Sequence, residues 1–232
     1  MTSEVIRNRR WFIRTTSLGR LGLTACRTQP THPADPLENL SNPHQPGPGQ
    51  TPQAPQSSQD YTPSEICKTT TEDIKGPFYR ENPPSRIAIA EGEVGTVLTI
   101  RGVVCGDDCK TPLSNTVVDV WQADDKGEYD NNSAAYRLRG QMATNAQGEY
   151  EFKTILPGRY LNGLTYRPRH IHYQVTHPIS EDQTTTLITQ LYFAGDEYLA
   201  DDPWAEESRT IPLEDVNGEL EGVFNIVLAV PV

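Results

Sequence analysis

The chain has 232 residues, 35% of them hydrophobic, with 20 Lys and Arg against 31 Asp and Glu and a formal net charge of −11. That charge excludes a nucleic-acid partner, because an acidic surface repels phosphate backbones. The first sixty residues differ in composition from the rest, so the foldable part is about 170 residues, enough for one domain with one core.

At the N-terminus, Asn8-Arg9-Arg10-Trp11-Phe12-Ile13-Arg14 is followed by a mildly apolar stretch, interrupted by Arg20, that ends in Leu23-Thr24-Ala25-Cys26. This segment resembles a twin-arginine signal ending in a lipobox. The resemblance implies that residues 1–25 are an export signal, that Cys26 is the site of lipid attachment, and that the protein is anchored in the cell envelope facing the periplasm or the exterior. A plain basic tail is the alternative. Cleavage before Cys26 would remove five arginines and one glutamate, leaving 15 basic against 30 acidic residues and a net charge of −15. Residues 26–60 are rich in Pro, Gln, Asn and Ser, with eight prolines between Pro30 and Pro55. Such a composition cannot bury enough surface to offset its ordering entropy, and it reads as a disordered tether.

Residues 61–232 form the predicted domain. Short β-prone runs cover Val97–Val104, Thr116–Trp121, Glu149–Ile155, Ile171–Val175, Leu187–Phe193 and Val223–Val230, separated by turn residues such as Asp124-Asp125-Lys126-Gly127 and Pro157-Gly158. That spacing predicts an all-β fold, an antiparallel β-sandwich with few short helices, of which the segment Asp202–Ser208 is the one plausible case. Cys67, Cys105 and Cys109 are disulfide candidates in an oxidising compartment. Cys105 and Cys109 flank a turn, whereas a Cys67–Cys109 bond would staple the N-terminal arm to the sandwich, and spacing does not choose between them. A three-thiol zinc site lacks a C-x-x-C knuckle and a fourth ligand.

His170-Ile171-His172 lies in an alternating run with Tyr173 and Val175, which places both imidazoles on one face of a strand. Two tyrosines, Tyr136 and Tyr160, stand close by in sequence. A hard trivalent ion takes anionic oxygen donors, and tyrosines supply them only if a strong Lewis acid removes their protons, which points to Fe(III). Tyr129, Tyr150, Tyr166 and Tyr173 read as core or rim residues, with Tyr129 and Tyr166 close enough to serve as substitutes. His177 falls off the face of the pair.

The segments Gly76-Pro77-Phe78-Tyr79, Val118-Asp119-Val120-Trp121-Gln122-Ala123, Tyr136-Arg137-Leu138-Arg139-Gly140, Pro157-Gly158-Arg159-Tyr160 and Arg167-Pro168-Arg169-His170-Ile171-His172 occur in this order. Together they resemble the intradiol ring-cleavage dioxygenases, non-haem Fe(III) enzymes that open catechols, over the span from about Cys67 to the C-terminus. The resemblance implies a prealbumin/Ig-like sandwich of the intradiol dioxygenase type and a ferric ion held by Tyr136, Tyr160, His170 and His172. It further implies catalytic roles for Tyr160, as base and departing ligand, for Arg167, at the rim of the site, and for Gln190, hydrogen-bonded behind it. Pro77, Phe78, Tyr79 and Arg167 would bind a flat aromatic diol, with O2 as co-substrate. Arg169 stands where a small residue is common, and would either favour an acidic substrate or point outward. No counterpart of the long helical N-terminal segment of dimeric catechol 1,2-dioxygenases is present, and an oligomer stays open. Two competing readings are a non-catalytic, transthyretin-like binding module on a lipoprotein tether, and a cupin-like metal enzyme. The cupin-like enzyme would need a carboxylate soon after the H-x-H and another histidine downstream; the first acidic residue is Glu181, too far on, and no histidine follows His177.

Overall fold

The computed structural model describes residues 67–231. The twin-arginine segment, Cys26 and the tether lie outside the described residues. In chain order the strands are β1 (Val97–Cys105), β2 (Val117–Trp121), β3 (Arg139–Ala143), β4 (Glu149–Ile155), β5 (Tyr160–Asn162), β6 (Thr165–Arg167), β7 (His170–Pro178), β8 (Thr184–Phe193), β9 (Thr210–Ile211), β10 (Glu214–Val216), β11 (Glu219–Val223) and β12 (Ile226–Val227). One sheet is built around β1, which pairs with β4, β11 and β12, while β10 pairs with β11; the other runs β3-β2-β7-β8-β9, and β5 and β6 form a separate hairpin.

The core lies between the two sheets. Alternation places Leu98, Ile100 and Val104 of β1 and Tyr150 and Phe152 of β4 against Val118 and Val120 of β2 and Ile171, Tyr173 and Val175 of β7. The outer face of the β1 sheet is solvated: Arg101, Glu149, Glu151 and Lys153 are exposed, and Arg101 and Lys153 pair with Glu221 and Glu219. The outer face of the β2-β7-β8 sheet is not solvated. β7 is buried on both faces from His170 to Tyr173, and β8 is buried continuously from Thr189 to Phe193.

What covers that face is the N-terminal arm. Thr70 exchanges hydrogen bonds with Val227, the Asp73 amide donates to the Ile188 carbonyl at 2.9 Å, and Cys67 is disulfide-bonded to Cys109, 42 residues away. Of the two pairings that spacing left open, the arm-to-sandwich staple is the one formed. Cys105 is buried beside Val227 in the small cluster around it.

Three features differ from the sequence expectation. Among the described residues β1 is parallel to β11 and β12, and β8 is parallel to β9, because the chain returns to β1 through the β10–β11 hairpin and not from an adjacent antiparallel strand. The run Val223–Val230 is split where the Asn225 side chain, not a backbone carbonyl, accepts from the Val103 amide at 3.0 Å. The helix expected over Asp202–Ser208 is replaced by two single 3₁₀ turns, Leu199–Asp201 and Glu207–Arg209. Asp202 precedes Pro203, which disfavours helical backbone, and it is extended, with ψ 121°.

Replacing both Cys67 and Cys109 by Ala is expected to lower unfolding stability by about 2–4 kcal/mol, the range for opening a loop of this length. Urea denaturation of the two proteins checks this, and equal midpoints would show that the arm needs no staple.

Candidate metal centre

Three of the four ligand residues expected from sequence come together, and the fourth is replaced. His170 and His172 project from the covered face of β7 with ring centroids 4.9 Å apart, and Tyr160, at the start of β5, stands 5.6 Å from His170. The second phenol is Tyr129, not Tyr136. The Tyr129 hydroxyl lies 3.4 Å from His170 Nε2, and its ring is 5.7 Å from Tyr160 and 6.1 Å from His172. Tyr136 is turned away: its hydroxyl donates to the Glu81 carbonyl at 3.1 Å, and its ring lies under the Arg80 guanidinium at 4.0 Å.

Backbone geometry brings the two tyrosine loops together. The Asp124 carboxylate accepts from the amides of Lys126 and Glu128 at 2.9 Å each, closing the turn that launches Tyr129, and the Gly158 amide donates to the Asp124 carbonyl at 2.6 Å. Gly127 and Gly158 touch backbone to backbone. A Cβ on Gly127, which has φ +87°, would sit 2.2 Å from the Arg159 carbonyl oxygen, and one on Gly158 would sit 2.4 Å from the Gly127 nitrogen. Neither position admits a side chain. Beyond Tyr129, the buried Arg139 donates to the carbonyls of Asp130 and Phe78, so one guanidinium holds both the Tyr129 loop and the arm. In the sequence Arg139 stands only as one residue of the Tyr136–Gly140 motif, with nothing to mark this role.

The arm closes the site from above. Phe78 stacks on Tyr129 at 4.2 Å and meets Tyr160 edge-on at 5.8 Å. Gly76 passes so close that a Cβ there would lie 3.3 Å from His172 Cε1. Of the residues expected to bind substrate, Phe78 lines the cavity of about 360 Å3 beside Tyr129 and Tyr160, and Pro77, Tyr79 and Arg167 do not. Pro77 is exposed. Tyr79 packs on Trp121 and donates to Asp119 at 3.0 Å, which anchors the arm.

Arg167 is buried, not at the rim. Its guanidinium donates to Asp202 at 2.7 and 3.1 Å and to the Tyr192 hydroxyl at 2.8 Å. Burial opposes its charge, but Asp202, Tyr192 and the Tyr160 phenol together hold it cationic. Gln190 donates to Asp73 Oδ1 and to the Ile74 carbonyl, and its own oxygen faces the Tyr192 hydroxyl at 3.1 Å. It therefore grips the arm across from His172, its register partner. Asp73 is in turn paired with Arg209. Arg169 points away from the imidazoles and donates to the Pro157 carbonyl at 2.6 Å.

Both imidazoles are held neutral, the state in which a ring nitrogen can bind a metal. His170 Nδ1 lies 2.7 Å from the Pro168 carbonyl, so that nitrogen carries the proton and Nε2 offers its lone pair toward Tyr129. Among the described residues neither ring nitrogen of His172 has a hydrogen-bond partner, although the residue is only 1% exposed. Leaving such a group unpaired costs roughly 1–3 kcal/mol, which a bound cation would offset. Burial, with Arg167 adding to it, pushes His170 down to about 3, and burial with His170 pushes His172 well below its ordinary value. Burial and the neighbouring Tyr160 push Tyr129 up, so its proton leaves only for a strong Lewis acid. Two neutral imidazoles and two phenols fit a hard trivalent ion such as Fe(III). No group of three or more His, Cys, Asp or Glu placed to hold a metal occurs among the described residues.

A family model described as a dioxygenase matches residues 74–220. The chain belongs to the intradiol ring-cleavage dioxygenase family. It is 31% identical to a chlorocatechol 1,2-dioxygenase of Rhodococcus opacus over 190 residues, 68% of this chain and 72% of that one. It is 37% identical to the protocatechuate 3,4-dioxygenase beta chain of Burkholderia cepacia over 128 residues, 50% of this chain and 53% of that one. Among solved structures, the dioxygenase domain of a dioxygenase–carbohydrate-binding fusion from Streptomyces sp. SirexAA-E superposes with a TM-score of 0.64 at 32% identity, covering 71% of this chain and all of that one. Catechol 1,2-dioxygenase from Acinetobacter sp. ADP1 gives a TM-score of 0.60 at 29% identity, over 69% of this chain and 63% of that one. The chain spans from 50% to 72% of the length of the first curated relatives it matches.

The histidine shifts make the metal-free protein acid-sensitive. Unfolded histidines take up protons below about pH 6.5, whereas folded His170 does so only near 3. Stability is therefore full above pH 6.5 and is lost as pH falls toward 3. At pH 5 the loss relative to pH 7 from His170 is about 2 kcal/mol, and His172 adds to it in the same direction. Denaturation midpoints of metal-free protein at the two pH values check this, with a His170→Gln variant expected to show a smaller drop.

Proposed function

We propose that the chain is a non-haem Fe(III) intradiol dioxygenase that opens a catechol-type ring between its two hydroxyl-bearing carbons, both atoms of O2 entering a muconate-type diacid. Tyr129, Tyr160, His170 and His172 are the residues that would hold the metal. The observation that carries this reading is the buried His172 ring, both nitrogens without a hydrogen-bond partner among the described residues, beside a second imidazole and two phenols. A bound ferric ion would supply the Lewis acidity that removes protons from phenol and diol alike and prepares the diol for O2.

The chain's own groups supply the rest. Phe78 and Tyr129 offer a flat wall against which an aromatic diol can lie, and the arm excludes water from the imidazole side. The Pro168 carbonyl fixes the His170 tautomer. Tyr160 lines the cavity and is placed to take the proton of a substrate hydroxyl. The Arg167 cation, held rigid by Asp202 and Tyr192, stabilises negative charge on Tyr160 and on the ring. We further read the protein as exported and membrane-anchored through Cys26, on the strength of the sequence signal; the Cys67–Cys109 disulfide is consistent with an oxidising compartment.

Purified iron-loaded protein is expected to be burgundy-red, to consume O2 with catechol, and to form a ring-opened diacid. Tyr129→Phe should lose the colour and most of the bound iron, while Tyr136→Phe keeps both; metal analysis and the visible spectrum decide, and the reverse pattern would restore Tyr136 as ligand. Arg167→Gln should keep its iron but lower kcat about 100-fold, the scale for removing one charge-stabilising donor. Unchanged turnover by this variant would remove Arg167 from the chemistry.

A further inference from the structure

The cavity beside Tyr160 is larger than one diol ring requires. Its volume is about 360 Å3, whereas a cavity of about 150 Å3 accommodates benzene. Part of its wall is the β5–β6 hairpin, in which Tyr160 opposes Arg167 and the next pair is Leu161 opposite Tyr166. The first pair serves the chemistry. The second pair is apolar, lines the same cavity, and is left 56% and 46% exposed. The Tyr166 ring is backed by Tyr198 at 5.6 Å, which is itself covered by the Arg159 guanidinium, so this wall is built in advance. Half-exposed apolar side chains continuous with a ligand cavity mark the place of an apolar ligand group.

The arginines beside this wall are not free to take a substrate carboxylate. Arg159 is engaged by Asp196 and Glu197 at 3.1 and 3.0 Å and Arg169 by the Pro157 carbonyl; of the remaining charged residues in the lining, Lys126 and Glu128 are of opposite sign.

Resting on the function proposed above, we infer that the substrate is a catechol carrying a bulky apolar substituent, aryl in type, and that Leu161 and Tyr166 are the specificity-determining residues that cover it. The test is steady-state turnover of catechol, 4-phenylcatechol and protocatechuate by the iron-loaded full chain. The expected result is a kcat/KM for 4-phenylcatechol about tenfold above that for catechol. That ratio should fall about tenfold in the double variant Leu161→Ala/Tyr166→Ala, within the range for one apolar contact in a pocket. Leu164→Ala, at the fully exposed tip of the hairpin and outside the cavity lining, should leave the ratio as it is.

A ratio near one in the parent protein, a ratio unmoved in the double variant, or a preference for protocatechuate overturns the inference while leaving the dioxygenase reading intact. A double variant that changes the native mass in solution without changing the ratio also overturns it, the hairpin then being a contact between copies of the chain. Turnover of none of the three diols overturns both.

Discussion

Every property of the site depends on removing water from one face of one strand. A sheet whose outer side met solvent would leave His170 and His172 hydrated, free to protonate and free to turn. Here the arm from Cys67 onward lies across that face, and the imidazoles are 2% and 1% exposed. Desolvation keeps them neutral and makes it costly that neither ring nitrogen of His172 has a hydrogen-bond partner among the described residues. The same cover allows the fields of a few fixed charges to act with little screening.

Holding an arm over a polar face requires more than apolar contact, and the chain uses buried ion pairs. Arg209 with Asp73 ties the arm to the segment after β8, and Arg167 with Asp202 ties the ligand hairpin to the same region. The Tyr192 hydroxyl joins the two pairs, since it accepts from Arg167 and faces Asp73. Buried ion pairs contribute little net stability, but losing one partner costs about 3–5 kcal/mol because the other is left charged and dry. Such a network therefore fixes position more than it stabilises, and it joins the cover to the cation beside Tyr160.

The sheets were legible in the sequence wherever one face is solvated or the core face is continuous. β1 and β4 alternate cleanly, and β7 and β8 carry long β-branched and aromatic runs. β3 was not legible, because Arg139-Gly140-Gln141 is polar and its buried arginine serves the site, not the core. At the centre, the H-x-H pair and Tyr160 were readable from spacing and motif, whereas the choice between Tyr129 and Tyr136 was not. Both are loop tyrosines seven positions apart, and the difference lies in tertiary contacts: Phe78 and the Gly127–Gly158 contact draw one ring in, and Arg80 and Glu81 hold the other out. The available signal was Gly127, directly after the Asp124 turn and two residues before Tyr129. Arg167 was legible as a functional cation but not as a buried one, since Asp202 is 35 residues away in sequence.

The contact between Gly127 and Gly158 also bears on time scale. Because the two backbones meet without intervening side chains, the segments carrying Tyr129 and Tyr160 are held against each other, and the contact opposes their separation. Rotation about the side-chain bonds of Tyr160 is a displacement that this contact does not oppose, and such a movement belongs to nanoseconds and not to milliseconds. Two missing methyl groups thus separate the time scale of the backbone frame from that of the ring it carries.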